Sequence, residues 1–480
     1  MTHLVFRPNQ ILALILSTIL LAACARTETV TPPLSAAPVA TQTPTATLAL
    51  TATPPPIATP TPDLAPLANI QVDPTHTRQT IREVGGGNFI HKFPRVTEPI
   101  DPIARLNIET LGMSVFRVRA SLEDWEPEND DGDPFTINAD AFSDSAFNHA
   151  AFAFLPQVQV EGVKTVASAW DVPDWMVSNP GDESERRIPP EMIDEAIESW
   201  AAWLLHARDV YGVTLDYISF NEADIGVNVR LSPEEQATLA RVGGARFAEL
   251  GLPTRWLLAD GANMGGCLLY AKSIWQQEAA RPFLGPLACH TWDGLSVPDT
   301  TLKQLGEWAQ AQGLEVWMTE GGWDAALWQR SAEFPAWPNA LNLAIAYSRT
   351  LKFSRAEVLL YWQMSGTDYN TNDGAVPFPI LDVLAHWSRV FAPGTQVIET
   401  SPDTFTLHSV AAVGEKGVSL WLVNNNIRPQ PVQIEGLPDG AYKLVELNAT
   451  GEQPPAALNV QKSVLALTLS PRSVGVITVQ

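Results

Sequence analysis

Positive charge is what this sequence has least of. Its 480 residues carry 30 Lys and Arg against 53 Asp and Glu, for a formal net charge of −23. A surface this acidic repels phosphate backbones, which excludes nucleic acid as a partner. Cysteine is scarce, at three residues. Outside Cys24 only Cys267 and Cys289 remain; they either form one disulfide or stay as two thiols, and the habit of free Cys to be buried favours thiols. Several catalytic signatures are missing altogether. There is no Gly-x-Ser-x-Gly, no His-Glu-x-x-His and no Walker A pattern. Gly85-Gly86-Gly87 lacks the third, spaced glycine of a dinucleotide loop. No internal repeat is visible. Nothing in the motifs calls for a metal or cofactor. Charged residues make up only 17% of the chain and hydrophobic ones 45%, enough to bury a large core. The chain also holds 16 Trp. Indole rings stack on the apolar C–H faces of sugars, so a neutral carbohydrate suits this composition, although the same rings also pack cores.

The first residues read as a targeting segment. Arg7 supplies positive charge, and the apolar run Ile11–Ala23 is too short for a comfortable membrane span. It ends in Leu21-Ala22-Ala23-Cys24, which resembles a bacterial lipoprotein signal with Cys24 as the lipidated residue. Residues 25–67 are dominated by Thr, Pro and Ala with no apolar period, which predicts an extended spacer. Together these predict a monomer on the outer cell surface, held to the membrane by an N-terminal lipid.

The pattern changes from about Gln79. Short β-branched runs alternate with helical periods, and the strand candidates are Ile81–Val84, Val115–Arg119, Lys164–Ala169, Tyr217–Phe220, Trp256–Ala259, Pro286–Cys289, Glu315–Thr319 and Glu357–Tyr361. Pro190–Tyr211 is helical, with Ile193, Ile197, Trp200 and Leu204 on one face, and Ser232-Pro233-Glu234-Glu235 opens another helix with an N-cap. Eight strands alternating with helices predict an α/β (β/α)8 TIM barrel over residues 68–392. After Pro393-Gly394 the helical period stops. Residues 393–480 read as short alternating strands, an antiparallel β-sandwich. Asn69–Val72 alternates apolar with polar residues and is expected to pair into that sandwich.

Barrels of this kind place their chemistry at the C-terminal ends of the strands. Two carboxylates stand there. Glu222 follows Tyr217-Ile218-Ser219-Phe220-Asn221, and Glu320 follows Val316-Trp317-Met318-Thr319. By order these are strands four and seven, which face one another across a barrel mouth. A facing carboxyl pair is what glycoside hydrolysis requires, with a separation of about 5–5.5 Å in retaining enzymes.

Asn221-Glu222 after strand four with a second Glu after strand seven resembles the glycoside hydrolases of clan A. Further segments resemble glycoside hydrolase family 30, which includes glucosylceramidase, xylanase and endo-β-1,6-glucanase types. They are Gln79–Gly87 at the opening strand, Ser168–Met176 after strand three, His290-Thr291-Trp292 at strand six and Trp387–Gly394 at the exit from the last helix. The likeness spans residues 70–480. It implies a retaining β-glycosidase acting on a β-linked oligo- or polysaccharide, with Glu320 as nucleophile and Glu222 as acid/base. It also implies that Asn221 binds the sugar 2-hydroxyl, that Arg117 holds Glu320 ionised, and that Trp170 and Trp362 line the sugar pocket. Family members usually carry Tyr at the place of Trp292; an indole N–H is also a donor, but from a different position.

Each of these residues has a plainer role open to it. Arg117 has other barrel carboxylates to pair with, Trp170 and Trp362 could be core, and His290 serves either the site or packing. The acidic stretch Glu123–Asp133 lacks the spacing of a known Ca²⁺ loop and reads as a solvated loop. A non-catalytic carbohydrate-binding lipoprotein, or another clan A glycosidase family, would share much of this pattern. Retention of both carboxylates favours catalysis.

Overall fold

The computed structural model describes residues 63–87, 100–182, 185–366, 368–401 and 403–480. Cys24, the leader and most of the Thr/Pro spacer lie outside the described residues. The chain enters through β1 (Ala68–Thr80) and passes at once into a ring of parallel strands. These are β2 (Glu83–Gly87), β3 (Val115–Ser121), β4 (Lys164–Asp171), β5 (Tyr217–Phe220), β6 (Arg255–Gly261), β7 (Leu284–His290), β8 (Val316–Gly321) and β9 (Val358–Tyr361). They pair in chain order, and β2 pairs with β9 to close the barrel. The helices that follow each strand are α1 (Pro102–Leu111), α2 (Ala146–Val158), α3 (Ile193–Tyr211), α4 (Pro233–Glu249), α5 (Met264–Trp275), α6 (Asp299–Gln312), α7 (Trp337–Ser354) and α8 (Pro379–Val390).

Local chemistry sets these boundaries. Asp101 caps α1 by accepting from the Ala104 N–H, with Pro102 at the first helical position. Ser232 and Glu235 form a reciprocal capping box on α4. The barrel strands are buried on both faces, so their side chains fill the inside as well as the helix layer; all six residues of β8 are buried. Val166, Leu257, Ala288, Trp317 and Leu360 plug the interior. Gly85 is needed for closure, because a Cβ there would lie 2.0 Å from the Val115 carbonyl oxygen on the neighbouring strand. The two cysteines are joined, where the sequence favoured free thiols. Helix α5 lies against β7 and brings the Cα atoms of Cys267 and Cys289 to 6.0 Å, and both side chains are fully buried as a disulfide.

The second unit of structure is a sandwich of β1 with β10 (Gln396–Thr400), β11 (Leu407–Gly414), β12 (Gly417–Asn424), β13 (Gln430–Glu435), β14 (Gly440–Asn448), β15 (Gly451–Glu452), β16 (Ala456–Val460), β17 (Val464–Leu469) and β18 (Ser473–Val479). Its pairs are antiparallel except for one: Ala68–Gln71 of β1 runs parallel to β13. From Val72 onward β1 switches to antiparallel pairing with β10, through two register shifts. One long strand thus serves both sheets and leads directly into the barrel.

Alternation along β12 explains how the units adhere. Leu420 and Leu422 face the inside of the sandwich with Ile70, Ile434 and Ile477. Trp421 and Val423 face the other way, into the same core as Trp387 and Phe391 at the end of α8. Trp421 is fully buried and meets the Trp387 ring edge to face, with centroids 5.2 Å apart. A buried ion pair, Lys352 of α7 with Asp403 at 2.6 Å, adds a second tie. Among the described residues no helix is long and apolar enough to cross a membrane.

A sandwich that shares a core with the barrel should not unfold by itself. Trp421→Ala is expected to cost about 3–5 kcal/mol, and calorimetry of either protein should give one transition. Two separated transitions would contradict the shared core.

Candidate active site

The C-terminal mouth of the barrel gathers charge around one guanidinium. Arg117 of β3 is fully buried, and its donors are all engaged. Nε donates to Ser168 Oγ at 3.0 Å. One terminal nitrogen donates to Glu320 Oε1 at 2.8 Å and to the Thr319 carbonyl at 3.3 Å. The other donates to Asn221 Oδ1 at 2.7 Å and to Asp260 Oδ2 at 2.9 Å. The two partners weighed for Arg117, Glu320 and another barrel carboxylate, are therefore both occupied.

That other carboxylate, Asp260, is absent from the sequence-based candidates. It ends β6 in the run Arg255–Gly261. Ala259 and Asp260 both take positive φ, 77° and 51°, and the pairing of β6 with β7 shifts register there. A backbone this unusual aims the carboxylate into the barrel, and its hydrogen bonds maintain it. Beyond Arg117, Asp260 accepts from Ser219 Oγ at 2.6 Å and from the Thr319 hydroxyl. Burial alone would raise its pKa, but Arg117 and His290 hold it well below the usual carboxylate range. The available signal was the one that marked Glu222 and Glu320: an acidic residue directly after a buried-looking barrel strand.

His290 ends β7 and joins the group from the far side. Nε2 lies 3.3 Å from Asp260 Oδ1, while Nδ1 lies 2.8 Å from Glu222 Oε1 and 3.3 Å from Glu320 Oε2. Burial disfavours its cation. The surrounding carboxylates Glu320, Asp260 and Glu222 outweigh that and push its pKa up to about 10. Each ring nitrogen of His290 thus faces a carboxylate, an arrangement that favours the imidazolium.

Glu222 and Glu320, at the ends of β5 and β8, both face Nδ1 of this ring, and an oxygen of each lies within 4.8 Å of the other. Their surroundings differ. Glu320 is 4% exposed and Glu222 13%. Trp292 Nε1 donates to Glu320 Oε2 at 3.3 Å, so the indole reaches the carboxylate despite replacing Tyr. Gly322 makes room for it: a Cβ there would lie 2.1 Å from the Trp292 ring. Burial raises the Glu320 carboxyl; His290 and Arg117 pull against that, and Glu222 adds to the rise. Trp170 and Trp362 adjoin, with ring centroids 5.2 Å apart, and Arg117 lies 4.8 Å from the Trp170 centroid. Trp362 is only partly buried. Glu222, Glu320, Asn221, Arg117, Trp170, His290, Trp292 and Trp362 thus meet at one mouth.

The imidazolium has a consequence for stability. An unfolded His titrates near 6.5, whereas folded His290 holds its proton to about pH 10. Its contribution is complete below the unfolded value and is lost as pH rises through that window. Urea unfolding should therefore show stability falling from about pH 6 to about pH 10, with a smaller fall in His290→Gln. An equal fall in both proteins contradicts a protonated His290.

No family model matches the chain, and no curated protein matches it in sequence. Solved structures do match its fold. A GH30 endoxylanase from Clostridium papyrosolvens aligns at TM-score 0.65 and 16% identity, over 85% of this chain and 99% of its own. The catalytic domain of a GH30 xylanase C from Talaromyces cellulolyticus aligns at 0.65 and 17%, over 86% and 100%. A monomeric β-xylosidase from Caulobacter crescentus aligns at 0.56 and 13%, over 85% and 99%. The chain has the fold of the glycoside hydrolase family 30 structures: a (β/α)8 barrel with a β-sandwich beside it.

Proposed function

We propose that this protein is a retaining β-glycosidase that hydrolyses the O-glycosidic bonds of a β-linked oligo- or polysaccharide, with Glu320 as nucleophile and Glu222 as acid/base. The observation that supports this reading is that Glu222 and Glu320, from facing strands of a closed barrel, each bring a carboxylate oxygen into one group at its mouth, within 4.8 Å of one another. A close pair of this kind suits a displacement in which one carboxyl is the nucleophile.

The chemistry follows from the surroundings of each group. In the first step a Glu320 oxygen attacks the anomeric carbon as its bond to the leaving oxygen breaks, and Glu222 gives that oxygen its proton. A glycosyl ester on Glu320 results. In the second step Glu222, now a carboxylate, takes a proton from water while the water oxygen attacks the same carbon. The ester bond breaks and the Glu320 carboxylate is released. Arg117 and Trp292 each donate to one oxygen of Glu320 and so orient its carboxyl. Asn221 gives its side-chain oxygen to Arg117, which leaves the amide N–H groups to donate to a sugar 2-hydroxyl. Trp170 and Trp362 supply apolar faces for the ring. The xylanase and xylosidase neighbours support a neutral β-linked sugar, and the fold admits both chain-cleaving and terminal action.

Glu222→Ala and Glu320→Ala should fail differently. Loss of proton transfer costs roughly 10²–10⁴-fold on a natural substrate, but a glycoside with a good leaving group needs no acid in the first step. On that substrate Glu222→Ala should still form the ester, and azide should restore turnover with a retained β-azide product. Glu320→Ala should give no retained product on any substrate. Retained product from Glu320→Ala with azide would reverse the two roles.

A further inference from the structure

We propose that Asp130, Glu195 and Glu198 bind a calcium ion that ties the loop after β3 to the start of α3. Glu195 and Glu198 are three residues apart on α3 and share its buried face. Oxygens of these two and of Asp130 lie within 4.8 Å of one another. Glu198 is 2% exposed, yet among the described residues no donor group reaches its oxygens, and the side chain set against it is the Glu195 carboxyl. One oxygen of Glu195 and one of the neighbouring Glu126 are in the same condition. The charged groups acting most on Glu198 are Asp130, Glu195, Glu126 and Asp131, all of them acidic.

Buried carboxylates cannot stay together uncompensated; they take up protons or a cation. Every donor in the cluster is a carboxylate oxygen, the hard set that suits Ca²⁺ rather than zinc or copper. The surroundings are already built. Asp130 is held by the N–H groups of Asp131 at 2.7 Å and Asn138 at 2.9 Å, and the Asp130 N–H donates to Glu126 at 3.4 Å. Glu126 is fully buried within the otherwise largely exposed stretch Glu123–Asp133. Its spacing matches no known Ca²⁺ loop because two of the ligands come from a helix far along the chain. The loop also accepts a hydrogen bond from Trp175 Nε1 through the Glu126 carbonyl at 3.0 Å. An ion here would brace the segment that follows Trp170 at the end of β4.

Calorimetric titration of Ca²⁺ into the chelator-treated full chain, with thermal unfolding in parallel, tests this. One ion per chain is expected, with Tm raised by about 3 °C at a hundredfold excess over Kd. Glu198→Gln should lose both effects; Asp130→Asn, changed on the loop side, should lose them too if the first variant folds poorly. Glu320→Gln should keep both. Three results overturn the proposal. The first is no binding to the unmodified chain at about 1 mM, the weak limit for extracellular sites. The second is binding lost in Glu320→Gln but kept in Glu198→Gln, which would put the ion among the mouth carboxylates. The third is a chain indifferent to Ca²⁺ whose Glu198→Gln variant is simply more stable, which would mean a shared proton.

Discussion

The buried pair of Arg117 and Asp260, at 2.9 Å with both side chains fully inaccessible, is the constraint on which the mouth of this barrel depends. Two desolvated charges cost several kcal/mol each unless every lone pair and N–H is used, and removal of one partner typically costs about 3–5 kcal/mol. Here the requirement is met only by groups from many strands. Ser168 comes from β4, Ser219 from β5 and Thr319 and Glu320 from β8. A slip of one residue in any of these strands would turn its side chain toward the helix layer and strand the guanidinium. The pair thus fixes the register of the barrel and the place of the Glu320 carboxylate together.

Charge arithmetic at the mouth follows from that pair. Arg117 and His290 bring two positive charges, and Asp260, held ionised, brings one negative charge. Neutrality is reached when Glu222 and Glu320 have one proton between them. That is the state in which a two-carboxyl displacement begins. The two carboxyls differ in their donors: Glu320 receives Arg117 and Trp292 and is almost wholly buried, whereas among the described residues Glu222 faces His290 and is closer to solvent. In the proposed mechanism the more exposed group exchanges protons with the leaving group and with water.

Much of this was legible in the sequence because barrel strands are short, apolar and evenly spaced by amphipathic helices. All eight were found to within a few residues, and the turn in role after Pro393-Gly394 was visible as a change of period. Glu222 and Glu320 stood out by the same rule, an acid directly after a buried strand. Asp260 obeys the same rule and is absent from the sequence-based candidates. The positive φ angles that aim its side chain inward leave no trace in composition. The short strands β10, β15 and β16 are each defined by their partners rather than by their own residues. The parallel pairing of β1 with β13 depends on contacts more than 360 residues apart, as between Ala68 and Val432. Proximity was also decisive for Cys267 and Cys289, whose pairing depends on where α5 lies over β7.

The central claim is that Glu320 is the nucleophile, held ready by the Arg117–Asp260 pair. Incubation with an activated 2-deoxy-2-fluoro β-glycoside, followed by intact mass measurement and peptide mapping, tests it directly. The account predicts a single added glycosyl group, located on Glu320 and absent in Glu320→Gln. A label on Glu222 or another residue, or hydrolysis of the reagent with no labelled intermediate and an inverted first product, would contradict it.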